Sequence, residues 1–387
     1  MNPQSKSSSP DHAAKIAVEL SLHNEHLSST SPMRLPTVPH LAFGALSFAT
    51  SSLMPVPINE EVVKSFRQSK TLRFHKPQTI ISSIDFDDSG LSCITAGNDD
   101  SIQLYDAKNG RHTKTVFSKK YGCSLARFTH HSMNCVCAST KPDAAHRIQY
   151  LSLHDNQYIR YFRGHTDRVT AIEMSPLEDQ FLSASLDNTV RLWDLRSQNA
   201  QGILNTAAPC LVGFDPASVV FAVASQPLQS VSLYALKHFD RRPFLTFNVP
   251  DCNGQWSKVE LANNGKLLLL STTGDRHFVF DAFNGELVAS LVGHGPLPTN
   301  QDYRVQPPSH ATFTVDGQFV FGSAADGRIC VWDVSKGKGT IKPLTYLEPK
   351  SRAIGPEYVT AFNPKTMLFA TASNDLTFWL PDREIVS

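Results

Sequence analysis

The chain holds 387 residues, 41% of them hydrophobic and 18% charged, with 36 Lys and Arg against 35 Asp and Glu for a formal net charge of +1. That is enough apolar material for a large core, and a charge so near balance excludes a field that would steer the protein to nucleic acid or to a membrane surface. No run of about 20 apolar residues is present to cross a bilayer as a helix, and the first residues do not follow the charged-then-apolar pattern of a secretory signal.

In chain order, residues 1–57 come first. Stretches such as SKSSSPDH and HLSSTSPMRLP are rich in Ser, Pro and His and lack strand alternation. Such a segment buries too little apolar surface to offset its ordering entropy and reads as a disordered tail. Within it, HLAFGALSFATSSLM at 40–54 is more apolar and fits a short helix or a docking segment, and Met54 is an alternative start, because all organised sequence follows it.

From residue 58 onward, short β-branched and aromatic runs alternate with Asp/Asn/Gly/Pro turns. The run KTLRF at 70–74 stands alone. Then follow ISSIDF, LSCITA and SIQLYD; SLARF, NCVCAST and RIQYLSL; VTAIEMS, QFLSAS and TVRLWD; CLVGF, VVFAVA and SVSLYAL; WSKVEL, LLLLST and HFVFDAF; ATFT, FVFGSA and RICVWD; and last YVTAF, MLFATA and LTFWL. These make seven units of roughly 47 residues each, a period typical of repeat architectures built from four-stranded sheets. The last unit lacks a fourth strand, and KTLRF is the candidate to supply it, so that both chain ends share one sheet and no edge is left to template aggregation. Seven cysteines without metal-type spacing read as reduced, buried thiols of an intracellular protein, with Cys135 and Cys137 on one face of a strand.

The repeats resemble the WD40 family. GH at 164–165 followed by WD at 193–194 is one copy of its motif, and GH at 293–294 with WD at 332–333 is a second, interrupted by an insertion at 295–309. The resemblance implies an all-β, seven-bladed propeller over 58–387 behind the N-terminal extension. It also implies a hydrogen-bonded set of His165, Ser183, Asp187 and Trp193 that braces one blade. Donor chemistry suits such a set: an indole N–H only donates, a hydroxyl does both, a carboxylate only accepts. Partial sets follow by offset. Thr95, Asp99 and Tyr105 lack a preceding His. Asp326 and Trp332 have Gly322 at the hydroxyl position with Ser323 beside it. Trp379 follows Asp375 by only four, which leaves its register open.

Catalytic patterns are missing. There is no G-x-S-x-G elbow, and KGKGT at 336–340 lacks P-loop spacing. His130 with His131, and His23 with His26, lack a third ligand at metal spacing. Asp85, Asp87 and Asp88 fall at a strand-to-strand turn, where Asp serves the backbone. A propeller hydrolase is disfavoured because no further acid or His cluster converges on a channel. No enzyme activity, cofactor or metal is therefore expected, and function is assigned to the surface. Candidate contacts are Lys119, Lys120 and Tyr121 in FSKKYGC, Arg163 and Arg168 flanking the motif His, and Tyr358. Together they suit an acidic or phosphorylated segment.

Longer stretches narrow the resemblance. FSKKYGCSLARFTH, YLSLHDNQYIRYFRGHTDRV, MSPLEDQFLSASLDNTVRLWDLRSQNAQG, FDRRPFLTF, NNGKLLLLSTTG and FNPKTMLFATASNDLTFWLP resemble the small WD-repeat subunit family of the COMPASS histone methyltransferase complex. That resemblance implies a nuclear, non-catalytic scaffold of the complex that methylates lysine 4 of the third core histone. It further implies links to mRNA cleavage and polyadenylation factors, to a protein phosphatase complex and to the phosphorylated tail of RNA polymerase II. A substrate receptor of a cullin-type ubiquitin ligase, or another cytoplasmic scaffold, is the competing expectation.

Overall fold

Alternation of side chains across a pleated strand sends every second residue to each face, and in each of the seven repeats the second strand is buried on both. The second strand of the third repeat, Gln180–Ser185, and of the sixth, Phe319–Ser323, are buried almost throughout. A sheet covered on both faces must lie between two others. The computed structural model describes residues 57–141, 146–239, 241–296, 311–350 and 359–386. In it each repeat is one antiparallel sheet, and the seven sheets are the blades of a propeller, numbered here 1 to 7 in chain order.

The first strands, Ile81–Phe86, Ser124–Phe128, Val169–Met174, Leu211–Phe214, Trp256–Leu261, Ala311–Phe313 and Val359–Phe362, line the central channel. Seven apolar clusters fill the seven spaces between neighbouring blades, and the ring closes through the one that joins blade 7 (Val359, Ala370, Phe378) to blade 1 (Ile81, Phe86, Tyr105). Each Val, Leu or Phe buried there contributes about 1.5–3 kcal/mol. Both members of the Cys135/Cys137 pair sit in the cluster between blades 1 and 2, and all seven cysteines are free thiols.

Closure uses the strand the sequence singled out, displaced by three residues. Arg67–Leu72, not 70–74, forms the outer strand of blade 7, pairing Arg67 with Leu380, Lys70 with Phe378 and Leu72 with Leu376. Arg73 and Phe74 lie past its end, where Arg73 Nε meets Asp375 at 2.9 Å and Phe74 stacks on His112 of blade 1, centroids 4.0 Å apart. A one-turn helix over Glu60–Lys64 precedes the strand, started by the Asn59 side chain, which accepts from Val62 N at 3.0 Å. Its Val62 and Val63, with Phe66, fill the space between blades 6 and 7 against Phe321, Phe369 and Trp379. The chain's entry is thereby fastened before the strand begins.

Blade 5 carries a fifth strand. Gly339–Ile341, within the segment that includes KGKGT, adds parallel to Leu287–Val292, with Ala289 opposite Gly339. The register of the last blade resolves plainly. Phe369 pairs with Trp379 as Phe181 pairs with Trp193 in blade 3, so the hairpin of blade 7 is two residues shorter and its Trp keeps the same rung. Residues 1–56, most of the 295–309 insertion and Tyr358 lie outside the described residues.

Candidate partner-binding surfaces

In blade 3, His165 enters just after the outer strand of blade 2 and reaches back over its own blade. Its Nδ1 lies 2.9 Å from Asp187 Oδ2 and its Nε2 2.7 Å from Ser183 Oγ, while Trp193 Nε1 donates to the same hydroxyl at 2.8 Å. The indole can only donate, so the Ser183 hydroxyl accepts from it and donates to Nε2, and the imidazole donates from Nδ1 to Asp187. Asp187 also accepts from Thr166 N, Thr189 N and the Thr189 hydroxyl. Burial lowers the His165 pKa despite its carboxylate neighbour. For Asp187, burial opposes ionisation, but the bonds from Thr189, Thr166 and His165 outweigh it and hold the carboxyl below its ordinary range. A neutral imidazole between a hydroxyl and a carboxylate is a brace, and its atoms are already taken.

Blade 1 repeats the arrangement, which corrects the expectation that no His precedes Thr95. His75 stands there, with Nε2 2.8 Å from Thr95 Oγ1 and Nδ1 3.2 Å from Asp99, which also accepts from Ser101. Its neighbours FHKP lack the GH dipeptide, and its spacing to Thr95 is 20 residues where His165 and Ser183 are 18 apart. Tyr105 fills the place of the Trp, 1% exposed, and burial pushes its phenol well up. The turn residues Asp100 and Asn188 of the two blades share a left-handed φ near 60°, a conformation Asp and Asn tolerate. In blade 7 Trp379 Nε1 donates to Thr371 Oγ1 at 3.0 Å, and Arg73 takes the carboxylate, Asp375.

Blade 6 departs from this plan. With Gly322 on the hydroxyl rung, Trp332 Nε1 donates instead to Val292 O of blade 5 at 2.9 Å, and Asp326 is drawn outward to Arg328. His294 reaches neither. Its Nε2 lies 3.0 Å from Gly274 O, its ring stacks on His277 with centroids 4.0 Å apart, and burial lowers its pKa to about 4. The second GH…WD copy therefore ties two blades together without a polar chain inside its own.

Of the surface candidates, Lys120, Tyr121 and Arg163 converge on tyrosines at blade 2, whereas Lys119 lies over Phe117 at the end of the outer strand of blade 1. Lys120 Nζ lies 5.1 Å from the Tyr121 centroid, Lys119 Nζ 5.3 Å from that of Phe117, and Arg163 6.0 Å from that of Tyr161. Tyr121, Tyr158 and Tyr161 pack together with centroids 5.3 to 5.6 Å apart. Arg147, which sequence reasoning missed, lies over both Tyr121 and Tyr161 at 4.8 and 5.6 Å. Lysine and arginine held on aromatic faces keep their charge outward on a low-entropy platform. Arg168 does not join them; it lines the mouth of the central channel.

That channel, a cavity of about 780 Å³, holds the largest surprise. Asp85 belongs to the first strand of blade 1 and lines it, whereas Asp87 and Asp88 do lie in the turn. Asp87 accepts from Ser92 N and the Ser89 hydroxyl, and Asp88 pairs with His130 at 2.7 Å. Arg127, Glu173, Lys258 and Glu260 join Asp85, so charged groups do converge on the channel, contrary to expectation. Arg127 meets Glu173 at 3.2 Å and Lys258 meets Glu260 at 2.7 Å. Asp85 Oδ2 accepts from Phe128 N of blade 2, and Glu260 Oε1 from Phe313 N of blade 6. Each carboxylate thus caps the next blade. The signal was present: Asp85, Arg127, Glu173 and Glu260 all stand one residue before an apolar residue that ends its first strand. Among the described residues no group of three or more His, Cys, Asp or Glu is placed to hold a metal ion.

Comparison with known proteins agrees with this architecture. The family model of the WD domain, G-beta repeat, matches residues 66–106, 156–194 and 285–333. WD repeat-containing protein 82 of Drosophila melanogaster is 39% identical over 334 residues, which cover 86% of this chain and 99% of that protein. The COMPASS component SWD2 of Saccharomyces cerevisiae is 37% identical, covering 84% and 99%. The Set1 complex component swd2 of Schizosaccharomyces pombe is 36% identical over the same shares.

Proposed function

From a chain that belongs to the WD-repeat family of these Set1 complex and COMPASS components, we propose a non-catalytic scaffold subunit of a nuclear histone methyltransferase complex, one that modifies lysine 4 of the third core histone. The observation that carries the reading is the extent of the likeness: identity of 36–39% runs across 99% of each of the three relatives, two of them named for that complex. A likeness confined to generic blades would not span whole chains. The conspicuous His and Asp side chains of blades 1 and 3 point the same way, since hydrogen bonds within the blades already engage them.

Affinity purification of the chain from its own cells, followed by mass spectrometry, tests this. Methyltransferase subunits are the expected co-purifying proteins. Cullin or coat subunits in their place would replace the reading with a ligase receptor or a transport scaffold. Assay of the isolated chain for methyl transfer or hydrolysis is expected to give none.

The same reading extends to cleavage and polyadenylation factors, a phosphatase complex and the phosphorylated tail of RNA polymerase II. The tail is assigned to the platform of Lys119, Lys120, Tyr121, Arg147 and Arg163, because cations stacked on aromatic faces suit phosphate. Arg168 contributes at the channel mouth rather than there. Reversal of Lys119 and Lys120 to Glu is expected to abolish binding of a phosphorylated tail peptide without altering the melting curve; unchanged affinity would remove the assignment.

A further inference from the structure

The entry and exit of the propeller meet on the outer wall of blade 7, where Asp382 N donates to Ser65 Oγ. The outermost strand there, Arg67–Leu72, pairs on one side with Leu376–Leu380, and among the described residues no strand pairs with its other side. Ser69 stands between the paired residues Gln68 and Lys70 as a bulge. A cavity of about 540 Å³ opens against this edge. It holds three cations, Arg67, Lys350 and Arg383, against one carboxylate, Asp382. All three cations are exposed, and none has an acidic partner among the described residues. Lys64 and Arg73, just before and just after the strand, are matched by Glu60 and Asp375. Arg67 is held by the Lys64 and Phe66 carbonyls, which both accept from Nη1, and Lys350 is brought to the strand by its backbone N–H, which donates to Gln68 Oε1. Asp382 is already engaged, its Oδ1 accepting from Glu384 N. Leu380, 40% exposed, and Met367 make part of the wall apolar.

We infer that the outer edge of blade 7 receives an extended acidic peptide of a partner protein, which adds to Arg67–Leu72 and sets its carboxylates among Arg67, Lys350 and Arg383. An unpaired strand edge offers N–H and C=O groups that another backbone matches in full. The molecule fills such an edge once itself: the outer strand of blade 5, Leu287–Val292, takes Gly339–Ile341 as a fifth strand. No aromatic ring lines the cavity to stack on a nucleobase, which favours a peptide over a nucleic acid. Main-chain bonds along the edge supply affinity for an extended peptide, the cations select acidic side chains, and the wall at Leu380 accepts an apolar one among them. Blade 1 stands between this edge and the tyrosines of blade 2, so the two surfaces can be tested apart.

The test is fluorescence anisotropy of the full chain with a labelled hexapeptide of alternating Glu and Val, its Gln–Val and Lys–Val counterparts, and labelled hexauridylate. Expected are saturable binding of the Glu–Val peptide, at least tenfold weaker binding of the Gln–Val peptide and none of the Lys–Val peptide. Affinity should fall several-fold between about 0.05 and about 0.3 M salt. Reversal of Lys350 and Arg383 to Glu changes two exposed positions; it is expected to weaken binding at least tenfold and to keep the melting midpoint. Should that variant fail to fold, hydrogen exchange on the unaltered chain reports instead, through a several-fold slowing over residues 67–72 when the Glu–Val peptide is added. No binding of that peptide, preference for hexauridylate, unchanged exchange over 67–72, or binding that survives reversal of Lys350 and Arg383 but is lost on reversal of Lys119 and Lys120 would overturn the proposal.

Discussion

Blades 3 and 6 carry the same two dipeptides, GH and WD, in the same order, yet they use them differently. In blade 3 the hydroxyl of Ser183 stands on the rung that faces Trp193 and His165, and a chain of bonds runs from indole to carboxylate within one sheet. In blade 6 the corresponding rung is Gly322, and Ser323, one residue on, presents its side chain to the opposite face. One residue of offset is enough. Trp332 then finds a carbonyl on blade 5, Asp326 turns to solvent with Arg328, and His294 stacks on His277. The same residues brace a blade in one place and join two blades in the other, so the dipeptides mark the fold without fixing the bonds made.

Substitutions that treat the two blades alike should therefore give unlike results. Asp187→Ala removes a 5%-exposed carboxylate that serves His165, Thr166 and Thr189, and is expected to cost about 3 kcal/mol in urea denaturation, because it leaves those donors unmet. Asp326→Ala, at a side chain 49% exposed, should cost less than about 0.5 kcal/mol. Equal losses would erase the distinction. Acid titration comes next. Burial holds the folded His294 pKa at about 4, below the 6.5 of an ordinary imidazole, so its contribution is complete above pH 6.5 and disappears as pH falls toward 4. The gap corresponds to about 3 kcal/mol, and a His294→Asn variant should show a flatter stability profile across that window. His165 also has a lowered pKa, but Asp187 opposes the shift, and its NMR titration should fall at a higher pH than that of His294.

The hydroxyl rung itself gives the sharpest contrast. Ser183→Ala strands the Trp193 indole N–H and the His165 ring nitrogen, and is expected to cost about 1–3 kcal/mol. Ser323 is fully buried, with a hydroxyl that has no partner among the described residues. Its replacement by Ala should be neutral or slightly stabilising, read as an unchanged or higher denaturation midpoint.

The blade count, the closing strand and the brace of blade 3 were legible because each leaves a local trace: strand alternation, a turn, a dipeptide. His75 escaped notice because the residue that matters is the imidazole, not the glycine ahead of it, and its loop is two residues longer than that of His165. Trp379 was ambiguous for a related reason: a shorter hairpin changes the count from Asp375 while leaving the rung intact. The channel charges were hidden differently. Asp85, Arg127, Glu173 and Glu260 lie in four separate repeats, and only ring closure brings them together. Sequence alternation tells which face of a strand a residue occupies; it does not tell that one set of inner strands will meet around an axis.

The outer strand of the last blade has a consequence for the order of events at the ribosome. Thr71 meets Thr377, 306 positions further along the chain, a stretch that takes about 15–60 s to synthesise at common elongation rates. Throughout that interval the opening strand has no partner, and the nascent ring stays ajar. A transcript cut short before the final hairpin yields a chain with six blades and a loose first strand, a natural client for quality control.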